Sequence, residues 1–294
     1  MAEPTFCAGV ADLAARYDHF VVDQWVVLHD GHAPYPDAIA CLRQLRAAGR
    51  RVVLLSNSGK RTRVNRARLR EIGFGEDLFD DVVTSGEATW RALADRTDPF
   101  FRELGRRCIL WSRYGDRSLV EELDLGTVQH ADDADFLLLG GTEDTARLED
   151  FQGALERAAA RDLPMVCANS DIVAVQANGI FGMAPGAVAR HYEGLGGRVF
   201  YVGKPHRPIY QLVLEALGNP ARGSIVAIGD SVEHDIAGAA GMTLDTALIM
   251  SGIHGSGFDL IGGLEANHAA LARLEAEFGV RPRWLLPRFC WSAG

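Results

Sequence analysis

The stretch HFVVDQWVVLHDG, His19 to Gly31, decides how the rest of the chain is read. Its apolar run, Phe20-Val21-Val22, is short and rich in β-branched residues. That is the pattern of a strand buried on both faces of a parallel sheet. The run ends in one carboxylate, Asp23. Two residues later, where a second carboxylate would complete an acid/base pair, stands Trp25, followed by Val26.

The same pattern recurs outward along the chain. Val52 to Leu55 of RRVVLLSNSG lead into Ser56 and Asn57; RVFYVGKP leads to Lys204; SIVAIGDS leads to Asp230; TALIMSG follows. Helical patterns lie between these runs. In PDAIACLRQLRAAG, Ile39, Leu42 and Leu45 share a face, and Gly49 suits the position after the last turn. In RPIYQLVLEALG, Pro208 suits the first turn, Ile209, Val213 and Ala216 keep helical spacing, and Gly218 ends it. Alternating strands and helices imply a doubly wound α/β fold with a parallel sheet.

From about Gly86 to Ala184 a second set appears. RRCILWS, DFLLLGG and PMVCANS read as strands, and TARLEDFQGALERAAARD as a helix between two of them. No run in this set ends in a functional-looking cluster. The expected organisation is a core of residues 1–84 and 185–294, with a smaller α/β domain, 85–184, inserted into it. The tail holds an amphipathic helix, LEANHAALARLEAEFG, and an aromatic-rich end whose Trp284, Phe289 and Trp291 are expected to pack on the core.

Composition narrows the classes of function. Apolar residues make up 48% and charged residues 23%, which is ordinary globular usage. A net charge of −9 argues against a general nucleic-acid binder. The five cysteines are scattered, with no C-x-x-C pair, which suggests a reducing compartment and no zinc site. There is no signal-peptide pattern and no apolar run near the ~18 residues of a membrane span. A soluble cytoplasmic protein is expected.

Ligands of an open parallel sheet bind beyond the carboxyl ends of its strands. Asp23, Ser56, Asn57, Lys204 and Asp230 stand there, with Asp235 five residues further on. Taken singly, each is an ordinary turn, cap or surface residue. Together they fit phosphoryl transfer. Asp23 can attack phosphorus as a carboxylate nucleophile. A metal on Asp23 and Asp230 neutralises crowded charge. Ser56, nearby backbone N–H groups and Lys204 hold phosphoryl oxygens, and Asp235 binds a metal water or orients Lys204. Hard oxygen ligands point to Mg²⁺.

These motifs resemble the haloacid dehalogenase (HAD) superfamily, class IIA, the NagD-like group of predicted sugar phosphatases. DQWVVLHDG stands as motif I, SNSGK as II, GKPHRPIY as III and GDSVEHDIAGAAG as IV, in order, with the insertion between II and III as a C2-type cap. The resemblance implies a Rossmann-like core, Asp23 as nucleophile, Ser56 with its neighbour Asn57 and Lys204 at the phosphate, and Mg²⁺ on Asp23, the carbonyl of Trp25, Asp230 and Asp235. It implies a small phosphorylated metabolite as substrate, chosen by the cap. Class IIA members often pair through their caps, so a homodimer is among the partners it allows. CANSDIVAV resembles the family's NPD region, with Ser170 in place of proline.

Two departures bear on activity. Members of the family carry Asp, as general acid/base, and then Gly where this chain has Trp25 and Val26. A branch of class IIA resembles DxWGVLHDG, so Trp25 fits that branch and Val26 departs from it. Loss of the acid costs typically ~10²–10⁴-fold and weighs most on poor leaving groups. His29 or Asp30 could stand in, although loop roles are favoured. His206, Arg207 and His234 flank the motifs and could line the phosphate pocket. Two other readings stand beside a phosphatase of low or unusual activity: a carbon–halogen hydrolase, and a non-enzymatic ligand-binding protein that keeps the fold.

Overall fold

The apolar run before Asp23 is a strand, and so are the runs before Ser56, Lys204 and Asp230. The computed structural model describes residues 3–175 and 181–292. In chain order the strands are β1 (Thr5–Phe6), β2 (His19–Asp23), β3 (Arg51–Ser56), β4 (Asp81–Thr84), β5 (Arg107–Trp111), β6 (Gly126–Thr127), β7 (Phe136–Leu139), β8 (Met165–Cys167), β9 (Val173–Val175), β10 (Phe181–Met183), β11 (Val199–Tyr201), β12 (Ile225–Gly229), β13 (Asp245–Ile249) and β14 (Trp284–Leu286). They fall into two units, residues 1–56, 66–83 and 210–294, and residues 57–65 and 84–209.

The first unit is built on a seven-stranded sheet, β1-β14-β13-β12-β2-β3-β4. β2 lies between β3 and β12 and is parallel to both, with Val21 opposite Val53 on one side and Ala227 on the other. Phe20, Val21 and Val22 are almost wholly buried, as a strand covered on both faces requires. The chain moves outward from β2 to β3 and β4, then returns to the other side of β2 at β12. The strand order therefore reverses at the β2/β12 gap, where such sheets open a crevice. The helix Ala38–Ala47 buries Cys41, Leu42 and Leu45, and the chain turns away at Gly49, φ 73°. The aromatic tail packs as expected. Trp284, in β14, donates its indole N–H to the Tyr17 hydroxyl at 2.8 Å, and Tyr17 donates to Asp245 at 2.7 Å. Phe289 is also buried.

The second unit has its own parallel sheet, β11-β8-β7-β5-β6, and an antiparallel pair, β9 and β10. The helix Glu149–Ala159 buries Phe151, Leu155 and Ala158, and Pro185–Gly194 buries Val188, Ala189 and Tyr192, in one core with Leu137, Leu139, Met165 and Cys167.

This arrangement corrects one expectation. RVFYVGKP was read as a strand of the first sheet, but β11 pairs with β8, Val199 opposite Met165. A run of apolar residues reports burial, and burial is the same in either sheet. Residues 185–209, expected in the core domain, therefore lie in the second unit, as do 57–65. All five cysteines are buried and free. Among the described residues, no helix is long and apolar enough to cross a membrane.

Candidate active site

Asp23 closes β2, and Asp230 follows the last residue of β12, so both stand at the strand-order reversal. Asp235 lies in the single wide turn Val232–Ile236 that follows. All three are buried, and one carboxylate oxygen from each lies within 4.8 Å of the others. The backbone aims them. Asp230 Oδ2 accepts from the Ile253 amide at 2.9 Å, and a Cβ on Gly252 would come within 2.1 Å of the Asp230 Cβ. Asp235 Oδ2 accepts from the Ser231 amide at 3.1 Å, and Gly229 leaves it similar room. Ser231 Oγ accepts from the His234 amide, and His254 Nε2 accepts from the Val232 amide at 3.2 Å. Three buried carboxylates this close repel strongly unless a cation or a proton intervenes. An all-carboxylate donor set fits a hard divalent cation.

The turn after β2 carries the two departures. Val26 has φ 66°, a left-handed conformation that suits glycine and is costly for a β-branched residue. Trp25 is 38% exposed. Its ring meets His29 edge-on at 5.8 Å and lies against Gly31, where a Cβ would come within 2.4 Å of the indole. His29 is buried against Phe74, and burial lowers its pKa to about 4. Its Nδ1 accepts from the Gly31 amide at 3.0 Å, which leaves the proton of the neutral ring on Nε2. Asp30 Oδ1 accepts from the amides of His32 and Ala33, both at 2.8 Å. Both side chains brace the turn through these bonds.

The remaining motif residues divide between the units. Ser56 closes β3 in the first, one position beyond Leu55, which pairs with Asp23. Asn57 and Lys204 belong to the second. The Asn57 side chain is committed to the protein itself. Its Oδ1 accepts from the Lys204 amide at 2.6 Å, and its Nδ2 donates to Asp171 Oδ1 at 2.7 Å and to the Lys204 carbonyl at 3.2 Å. An amide has two N–H donors and one carbonyl, and these bonds tie the Asn57 side chain to the backbone of Lys204 and to Asp171. Ser170 also donates to the Lys204 carbonyl. His206 stacks on Tyr201 at 4.9 Å, Arg207 is exposed, and His234 turns back onto Ser231. The sequence reading missed Asp171, the Ile253 amide and His254. Asp171, next to the flagged Ser170, was the one within reach of it.

Models of two families match the chain: haloacid dehalogenase-like hydrolase over residues 20–126 and a HAD-hydrolase-like model over 201–271. The solved structure of a haloacid dehalogenase-like hydrolase from Brucella suis 1330 is 30% identical. It superimposes with a TM-score of 0.80 over 98% of this chain and 100% of its own. The chain belongs to the haloacid dehalogenase-like hydrolases. The sugar-phosphatase AraL of Bacillus subtilis is 28% identical over 221 residues, 72% of this chain and 75% of AraL. A glycerol-3-phosphate phosphatase of Rattus norvegicus is 27% identical over 266 residues, 82% of this chain and 81% of that protein. The two matched segments hold Asp23, Ser56, Lys204, Asp230 and Asp235. The stretch between them, 127–200, lies within the second unit.

Proposed function

We propose that this HAD-like hydrolase is a phosphomonoesterase that acts on a small phosphorylated metabolite, a sugar or polyol phosphate, through an aspartyl-phosphate on Asp23. The observation that carries the reading is the trio Asp23, Asp230 and Asp235, buried with oxygens within 4.8 Å of one another. The sugar-phosphatase AraL and the rat glycerol-3-phosphate phosphatase, to which the chain is similar, support the substrate class.

Asp23, the Trp25 carbonyl, Asp230 and Asp235 are the groups that would hold Mg²⁺. When bound, the ion neutralises the acids and the phosphoryl oxygens. The chain's own groups do the rest. The Asp23 carboxylate attacks phosphorus, a P–O bond to the carboxylate forms, and the bond to the leaving oxygen breaks. The Ser56 hydroxyl donates to a phosphoryl oxygen, and the Lys204 ammonium offsets its charge. Water then attacks the phosphorus of the acyl phosphate, releasing inorganic phosphate and restoring Asp23. Trp25 gives the departing oxygen no proton, so esters with good leaving groups turn over best. The second unit serves as the cap that selects the substrate. The acid trio weighs against a metal-free carbon–halogen hydrolase.

Hydrolysis of a panel of phosphate esters, with Mg²⁺ and with EDTA, tests the reading. We expect turnover that requires Mg²⁺ and is lost in Asp23→Asn. A folded protein that hydrolyses none of them, or does so equally well in EDTA, would overturn it.

A further inference from the structure

The wide turn Val232–Ile236 follows Asp230 and carries Asp235, so its shape sets the separation of two of the three acids. A buried turn of this kind has amides that the helical ladder does not use. The Ser231 amide goes to Asp235 Oδ2, and the Ser231 hydroxyl takes the His234 amide. The amide of Val232, a wholly buried residue, goes to His254 Nε2 at 3.2 Å.

One tripeptide, Gly252-Ile253-His254, grips this arrangement twice. Gly252 packs flush on the Asp230 side chain, with no room for a Cβ, and Ile253 donates its amide to Asp230 Oδ2 at 2.9 Å. His254 then reaches the turn at Val232. The tripeptide is itself fixed. The amides of Met250 and Ser251 donate to the Leu286 and Pro287 carbonyls at 2.8 and 3.1 Å, and the Gly255 amide donates to the Gly252 carbonyl at 2.8 Å. The imidazole is half-buried and lies against Phe278, at the end of the helix Gly263–Phe278, with ring centres 6.0 Å apart. Nε2 can accept only when the ring is neutral with its proton on Nδ1. Burial lowers the pKa of the ring against the pull of Glu277 and Glu233, which favours that neutral form.

We propose that His254 is a positioning residue for the divalent-cation site, holding through the Val232 amide the turn that sets Asp230 against Asp235. The inference rests on the reading of the acid trio as a metal site. Removing the acceptor leaves a buried N–H unpaired, and the turn shifts to satisfy it. A set of metal ligands that loses such outer support typically loses ~10–100-fold in affinity.

Two substitutions separate the hydrogen bond from the packing. His254→Phe keeps a ring against Phe278 and removes the acceptor. His254→Gln gives up the ring and returns an acceptor, since its amide oxygen reaches about as far as Nε2. Mg²⁺ is titrated by calorimetry into the full chain and into both variants, with no substrate present, and each protein is melted in urea with EDTA. His254→Phe should lose about tenfold in Mg²⁺ affinity, and His254→Gln should keep most of it whatever its metal-free stability. Equal affinity in a folded His254→Phe protein, or a loss in His254→Gln as large as in His254→Phe, would overturn the inference. Nitrogen NMR of the unmutated protein needs no variant to fold. His254 should carry its proton on Nδ1 at neutral pH, and a proton on Nε2 would overturn the inference equally. Unmutated protein that binds no Mg²⁺ overturns the metal reading as well, whereas binding indifferent to His254 overturns only this inference.

Discussion

In the proposed mechanism Trp25 takes the place of a general acid, and its ring is packed against His29 and Gly31. Trp25→Asp should therefore raise kcat/KM on alkyl phosphates by ~10²–10³-fold, the lower part of the general-acid range. p-Nitrophenyl phosphate, whose leaving group needs little protonation, should gain far less. Because the indole is over a third exposed, the stability cost is about 1–3 kcal/mol, below the range for a fully buried Trp. An unchanged alkyl-to-aryl ratio in a folded mutant would show that the proton comes from elsewhere. His29 gives a second test. Its folded pKa of about 4 lies below the ordinary 6.5, so between these values the unfolded chain binds the proton that the folded chain refuses. The stability His29 contributes is complete above pH 6.5 and is lost as pH falls through 4, about 3 kcal/mol in all. His29→Gln should flatten the acid limb of the stability profile in that window; an identical limb would count against it.

At the scale of the element, the turn after β2 was legible as a departure before its geometry was. Val26 stood where the family has Gly, and it takes φ 66°. Left-handed backbone costs about 1–2 kcal/mol for an L-residue, and glycine gives back about 0.5–1 kcal/mol in the unfolded chain. Val26→Gly should raise stability by roughly 0.5–1 kcal/mol in a urea melt; a clear loss would show that packing of the isopropyl group outweighs the strain. The strands ending at Asp23, Ser56 and Asp230 were readable because burial on both faces makes a continuous apolar run. The two-residue β1 leaves no such run, and the sheet to which β11 belongs is a matter of long-range pairing. The clamp on segment 57–65 was also invisible, since Arg61 and Glu87 are distant in sequence. Burial pushes the Glu87 carboxyl up, but Arg61 outweighs it and holds the group below its usual range. Glu87→Leu should cost about 3 kcal/mol by stranding a buried guanidinium, and adding Arg61→Leu should recover part of it. A double mutant less stable than the single one would refute the clamp.

Across the molecule, two parallel sheets each present a carboxyl edge, and the motif residues are shared between them. The first sheet brings Asp23, Asp230 and Asp235 together, and the second holds Lys204 through Asn57. The acids were findable from strand ends alone. The hold of Asn57 on Lys204 was not, because it joins residues 147 positions apart.

The step on which the proposed mechanism turns is attack of Asp23 on phosphorus. It is tested most directly by mixing stoichiometric enzyme with p-nitrophenyl phosphate and Mg²⁺, quenching in acid within a turnover, and weighing the peptide that spans His19–Asp23. One phosphoryl group is expected on that peptide, absent without Mg²⁺ and absent in Asp23→Asn, which also fails to turn over. Continued hydrolysis by Asp23→Asn, or phosphoryl transfer to another residue, would contradict it.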